Sequence, residues 1–141
     1  MLMEYNVQII RGWPYDGSLD REEIISPGQT LSNGMWVTKN VDNTVSVVGS
    51  TKTGAAGLVI RGNGDSASAA YCNKAVVLWG NFIAQIKNLP VGVTFVPGQY
   101  LTIVNGLIQV GTFGTDPIVG VVLDVVAAGT NTNANVVAKF N

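Results

Sequence analysis

A chain of 141 residues with eight basic and nine acidic side chains, one cysteine and no histidine narrows its own chemistry. It carries no basic footprint for nucleic acid. Without histidine it cannot assemble Ser-His-Asp or Cys-His catalysis within one chain, and Cys72 alone makes neither an internal disulfide nor a conventional zinc site.

The opening "MLMEYNVQII" lacks the basic start and sustained apolar core of a secretory signal, which leads to the expectation of a soluble protein made in a reducing cytosol. The first expected strand is "YNVQIIRG" (5 to 12). "RGWPYDG" (11 to 17) follows. Its proline holds Trp13 extended, and Trp13 and Tyr15 need cover from the body of the protein, a neighbouring subunit or a partner. "SLDREEII" (18 to 25) offers Ser18 or Asp20 as a cap and Glu23 in a first turn, so one or two helical turns are expected there. Pro27 and Gly28 stop them. Asp20, Glu22 and Glu23 then read as a solvated helix face rather than an acid/base pair.

From Gln29 onward the chain is rich in Val, Ile, Thr and Gly, the punctuation of an all-β domain. Strands are expected over 29–32, 35–40, 44–50, 56–62, 75–86, 93–96, 99–104, 107–113, 118–126 and 135–140. Asn33-Gly34, Asn63-Gly64 and Asn105-Gly106 are the expected hairpin turns, because both residue types tolerate positive φ. "RGNGDS" (61 to 66) has no phosphate-loop lysine and too few oxygen ligands for calcium, so it reads as a turn. "DSASAAYCNK" (65 to 74) fits a short helix or an extended loop, with Cys72 as a small core or loop residue. Asp116, before Pro117, is expected to cap its own turn. "PIVGVVLDVVAAG" (117 to 129) contains Asp124 and is too short to span a bilayer; its apolar run suggests a strand covered on both faces.

The chain repeats a phrase. Pro27-Gly28-Gln29-x-Leu31 is echoed by Pro97-Gly98-Gln99-x-Leu101, Asn33-Gly34 by Asn105-Gly106, and "GLVIRG" (57 to 62) by "GVVLDV" (120 to 125). "VVLWGNFIA" (76 to 84) echoes "NVVAKFN" (135 to 141) more faintly. Pro-Gly and Asn-Gly are common turn words, so the echo fits internal duplication and convergent hairpins equally. The units would be residues 25–88 and 95–141, following an N-terminal strand or arm and short helix over 1–24. The fold class expected is all-β with minor helix: a small β-barrel or a two-sheet sandwich. Charge is unevenly spread. From Leu89 to Asn141 only Asp116, Asp124 and Lys139 are charged, which implies surface hidden in an assembly or solvated by Thr, Asn, Gln and Gly.

The segment "PGQYLTIVNGLIQVGTFGTDPIVGVVLDVVAAGTNTNANVVAKF" (97 to 140) resembles the head decoration, or cement, proteins of tailed bacteriophages. The likeness rests on Pro97-Gly98, Asn105-Gly106, the buried strand Gly120 to Leu123, Ala128-Gly129 and the valine-rich Asn135 to Phe140. It implies a non-enzymatic virion protein made in the host cytoplasm that docks on the outer capsid surface. The expected partners are the major capsid protein and its own copies as a homotrimer, with no cofactor, metal, nucleic acid or membrane. It also implies an arm, "MLMEYNVQIIRG", that adds a strand to a capsid protein's sheet; Tyr5, Val7 and Ile9 of this arm, with Trp13 and Tyr15 of the following segment, are the candidate partner-binding residues. Lys39, Lys52, Lys74 and Lys87, near strand ends, are expected to guard edges against aggregation. The alternative is a receptor- or glycan-binding module of a phage fibre or appendage, using Trp13, Tyr15 or Trp79. A hydrolase built on carboxylates is a third, weaker reading.

Overall fold

Both Pro-Gly pairs make the same corner. Gly28 has φ +83° and Gly98 φ +90°; the Gln29 amide donates to the Ser26 carbonyl and the Gln99 amide to the Val96 carbonyl. These are type II turns, whose third residue must take positive φ. The computed structural model describes residues 7–12, 20–67, 72–126 and 135–141, and no helix occurs among them. The all-β expectation is met, by eleven strands in two sheets.

Five strands close a barrel in the order β2 (Asp20–Ile25), β4 (Thr44–Val47), β3 (Trp36–Lys39), β5 (Gly57–Arg61) and β6 (Lys74–Leu78). The other six form an open sheet: β1 (Val7–Gly12), β7 (Phe82–Ile86), β11 (Asn135–Phe140), β10 (Gly120–Val126), β8 (Tyr100–Val104) and β9 (Leu107–Gly111). Alternate residues of the barrel strands point to opposite sides. Ile25, Val37, Val45, Val59, Ala75 and Val77 share one buried cluster. Trp36, Leu58 and Leu78 join the second cluster, with Phe82, Ala84, Leu101, Val122 and Phe140 of the sheet. Trp36, Phe82 and Phe140 meet at centroid distances of 4.8 to 6.3 Å. The barrel and the sheet are therefore glued by a common aromatic core.

Several expected elements fall differently. Residues 20–25 form strand β2, not helical turns: the carboxylates that suggest a helix start lie on a ladder with β6, from Asp20↔Leu78 to Ile24↔Lys74. This strand crosses the expected boundary at residue 24. The expected strand 75–86 is two strands. Gly80, at φ +96°, breaks it and sends β6 to the barrel and β7 to the sheet. Residues 29–32 are not a strand, because side chains satisfy their backbone. The Leu31 amide donates to Asn63 Oδ1 at 2.7 Å, and Asn63 Nδ2 donates to the Gln29 carbonyl. The Asn33 amide donates to the Asp65 carboxylate at 2.9 Å. Asn63-Gly64 thus belongs to a clamp between distant segments instead of a two-residue hairpin, and Asn33-Gly34 leads from this clamp into β3. Residues 93–96 are also outside the ladders.

Asn105-Gly106 is the type I′ hairpin expected, with φ values of +52° and +72° joining β8 to β9 in register from Val104↔Leu107 to Tyr100↔Gly111. Residues 65–67 are turn and irregular, and 68–71 lie outside the described residues. The echoed strands share more than letters. β5 bulges between Val59 and Arg61 against β6, and β10 bulges between Val122 and Asp124 against β11. These are corresponding places in "GLVIRG" and "GVVLDV". In both strands the leading glycine lies against an aromatic ring: a Cβ on Gly57 would come 2.9 Å from the Trp79 indole, and one on Gly120 would come 3.0 Å from Phe140.

Candidate functional site

In β2, Arg21, Glu23 and Ile25 lie on one side of the pleat and Glu22 and Ile24 on the other. Ile25 joins the barrel interior, so Glu23 faces the same way, at 2% exposure. A carboxylate so placed needs partners. Lys39 Nζ is paired with Glu23 Oε2 and also donates to the Asn43 carbonyl at 3.2 Å. Arg21 Nε stands 3.4 Å from Glu23 Oε1, and Trp79 Nε1 donates to the same oxygen at 3.2 Å. These four side chains line a cavity of about 240 Å³. Lys39 and Trp79 also line an adjoining shallow groove of about 450 Å³ that runs past Thr38, Thr53 and Gly80 to Asn141. Lys39 and Arg21 together exceed Glu23 by one positive charge. Arg21 is the most open member, its side chain 67% exposed.

The carboxylates Glu22 and Glu23 do not act together, and the Asp20 side chain lies outside the described ones. Alternation separates Glu22, which faces solvent and pairs with Lys74 at 3.6 Å, from the buried Glu23. Among the described residues no group of three His, Cys, Asp or Glu side chains is placed to hold a metal ion. Cys72 is exposed and free.

A second surface lies on the open sheet. Tyr100 pairs with Val121, and Val121 with Lys139. Tyr100 and Phe113 form a tilted ring pair at 5.1 Å, with Phe113 72% exposed. Val96 and Leu123 add further exposed apolar surface. Asp124 and Lys139, both exposed, make no ion pair among the described residues. The nearby 112–116 turn is fixed as expected of Asp116: its carboxylate accepts from the Thr112 amide at 2.9 Å and from Lys52 Nζ at 3.1 Å. The Thr112 bond first, and then Lys52, hold its pKa below the ordinary 3.8.

Of the expected partner-binding residues, Tyr5, Trp13 and Tyr15 lie outside the described residues. Val7 and Ile9 lie on β1, at register positions opposite Ile86 and Ala84. The segment expected as an arm pairs, over Val7–Gly12, with the chain's own β7 and forms one edge of the open sheet. Of the expected edge lysines, Lys39 serves the barrel mouth and Lys52 the Asp116 turn. Arg21, Glu23 and Lys39 were not singled out as a group by sequence reasoning. Their signal is the spacing Arg21-x-Glu23-x-Ile25, which a strand converts into one face. A scan against protein-family models finds no match to this chain, and a search of curated proteins finds none.

Proposed function

We propose that the chain is a non-catalytic structural protein that binds the outer surface of an assembled phage capsid and reinforces it, associating with its own copies as a homotrimer. The observation that carries this reading is the apolar surface around Tyr100 and Phe113 on a sheet whose strands β8 to β11 hold only two charged side chains, Asp124 and Lys139. Exposed apolar patches of this kind mark interaction surfaces on soluble proteins. A shell multiplies many weak copies of one contact, so each needs little affinity of its own. The likeness of residues 97 to 140 to cement proteins supports the same reading.

The test is co-sedimentation with capsids assembled from major capsid protein alone, beside light scattering of the free protein. Saturable binding at a fixed copy number per capsid is the expected result. A monomer that leaves every such capsid bare would overturn the proposal. With β1 placed in the chain's own sheet, contact through an added strand would use the outer edge of β1 or β9.

A further inference from the structure

Trp79 is fixed more firmly than a half-buried indole on a barrel rim requires. Its ring lies close against Gly57, where a Cβ would come 2.9 Å from Cδ2 and Cε3. Its Nε1 is tethered to Glu23 Oε1 at 3.2 Å, and Glu23 is itself locked by Lys39. The indole forms part of the wall of both the 240 Å³ cavity and the 450 Å³ groove. A glycine seat, a buried carboxylate and a lysine thus hold one aromatic ring at the boundary of two openings. Barrel mouths are favoured places for small-ligand sites, and the groove lies within the usual volume range for one.

The chemistry around the ring selects among ligands. Thr38, Thr53 and Asn141 set neutral donors and acceptors beside the apolar Ala55, Ala56 and Trp79, a mixed lining that suits the polar edge and apolar face of a sugar ring. Arg21 uses Nε toward Glu23 at 3.4 Å, and no hydrogen bond of its terminal nitrogens occurs among the described residues. A guanidinium with free terminal N–H groups reads a carboxylate well. The excess positive charge of the cluster favours the same group.

We propose that the groove and the adjoining cavity together bind an acidic saccharide: a pyranose against Trp79, which both openings share, with its carboxylate facing Arg21 in the cavity. This site is separate from the Tyr100–Phe113 surface and does not depend on the capsid reading.

The test is NMR titration of the full chain with glucuronate, with an oligosaccharide of uronate units, and with glucose as the neutral control. Expected are shifts of the Trp79 indole N–H, assigned by its absence in Trp79→Phe, with both uronates. Arg21→Gln should weaken uronate binding about tenfold, the scale of one lost charge-assisted contact, and leave the response to glucose unchanged. Arg21 is exposed enough for that variant to fold. A Trp79 signal indifferent to both uronates at millimolar concentration would overturn the proposal. So would uronate binding that Arg21→Gln leaves intact.

Discussion

Glu23 shows how one side chain sets unequal costs on its neighbours. Lys39 is 34% exposed and has a long stem, so it can swing to water if its partner loses charge. Glu23 has no such escape. Glu23→Gln keeps an acceptor for Trp79 and should cost about 1 kcal/mol. Lys39→Met strands a buried carboxylate beside a mostly solvated arginine and should cost about 3 kcal/mol. Urea denaturation of the two variants checks the order: Lys39→Met must be the less stable. The same residues explain a misreading. "DREE" resembles a capped helix start because its charges are contiguous in sequence. Only strand alternation shows that Glu23 faces inward with Ile25, with Arg21 on the same side at the open rim, and an inward charge is the reverse of the usual sign of a barrel strand. Trp79 was legible as a candidate aromatic, but its tether was not, because Gly57, Glu23 and Lys39 come from three different strands.

At the level of the element, the turns were the most readable feature. Gly28, Gly98 and Gly106 all take positive φ where Pro-Gly and Asn-Gly predict it. Asn105→Gly should leave stability nearly unchanged, whereas Asn105→Val should cost about 1–2 kcal/mol because a branched side chain resists the left-handed region. Thermal unfolding of the pair distinguishes them. The β3–β4 turn was not named in advance as a turn; it lacks glycine, and Asn43 supplies φ +70° instead. Asp42 holds it by accepting from the Thr44 hydroxyl at 2.6 Å and the Thr44 amide at 3.1 Å. The hydroxyl bond, followed by the amide bond, lowers the pKa of Asp42 below 3.8, as the Thr112 bond and Lys52 lower that of Asp116. The folded state thus binds fewer protons than the unfolded chain at these sites. Their stabilisation is complete above pH 3.8 and lost as pH falls through the lower folded values. The expected outcome is a drop in melting temperature confined to that acid range, smaller in an Asp42→Asn/Asp116→Asn double variant. What the turns could not reveal was the clamp of Asn63 and Asp65 on residues 29–33. It joins side chains to a backbone about 30 residues away, and no periodicity encodes that.

For the whole molecule, composition conveyed the all-β class, but barrel closure was not written in any one stretch. It depends on β2 lying parallel to β4 at Ile24↔Thr44 and antiparallel to β6. The shared core makes a further prediction. Phe140 belongs to the sheet yet packs at 4.8 Å on Trp36 of the barrel. Phe140→Ala should remove about 3–5 kcal/mol, and barrel and sheet should still melt together. A barrel transition surviving after sheet loss, seen by hydrogen exchange, would contradict that. Tyr100→Ser/Phe113→Ser removes exposed rings instead, so it should hold its melting temperature and abolish association with capsids in co-sedimentation.

The position of β1 has a consequence for synthesis. Val7 pairs with Ile86 and Gly12 with Phe82, so β1 finds its partner only after the long stretch of chain between Gly12 and Phe82 has been made. Until then its backbone donors and acceptors are open to any neighbour with a bare edge, including another nascent copy on the same message. Slowing translation ahead of the β7 codons would lengthen that exposure, and chaperone dependence should rise with it.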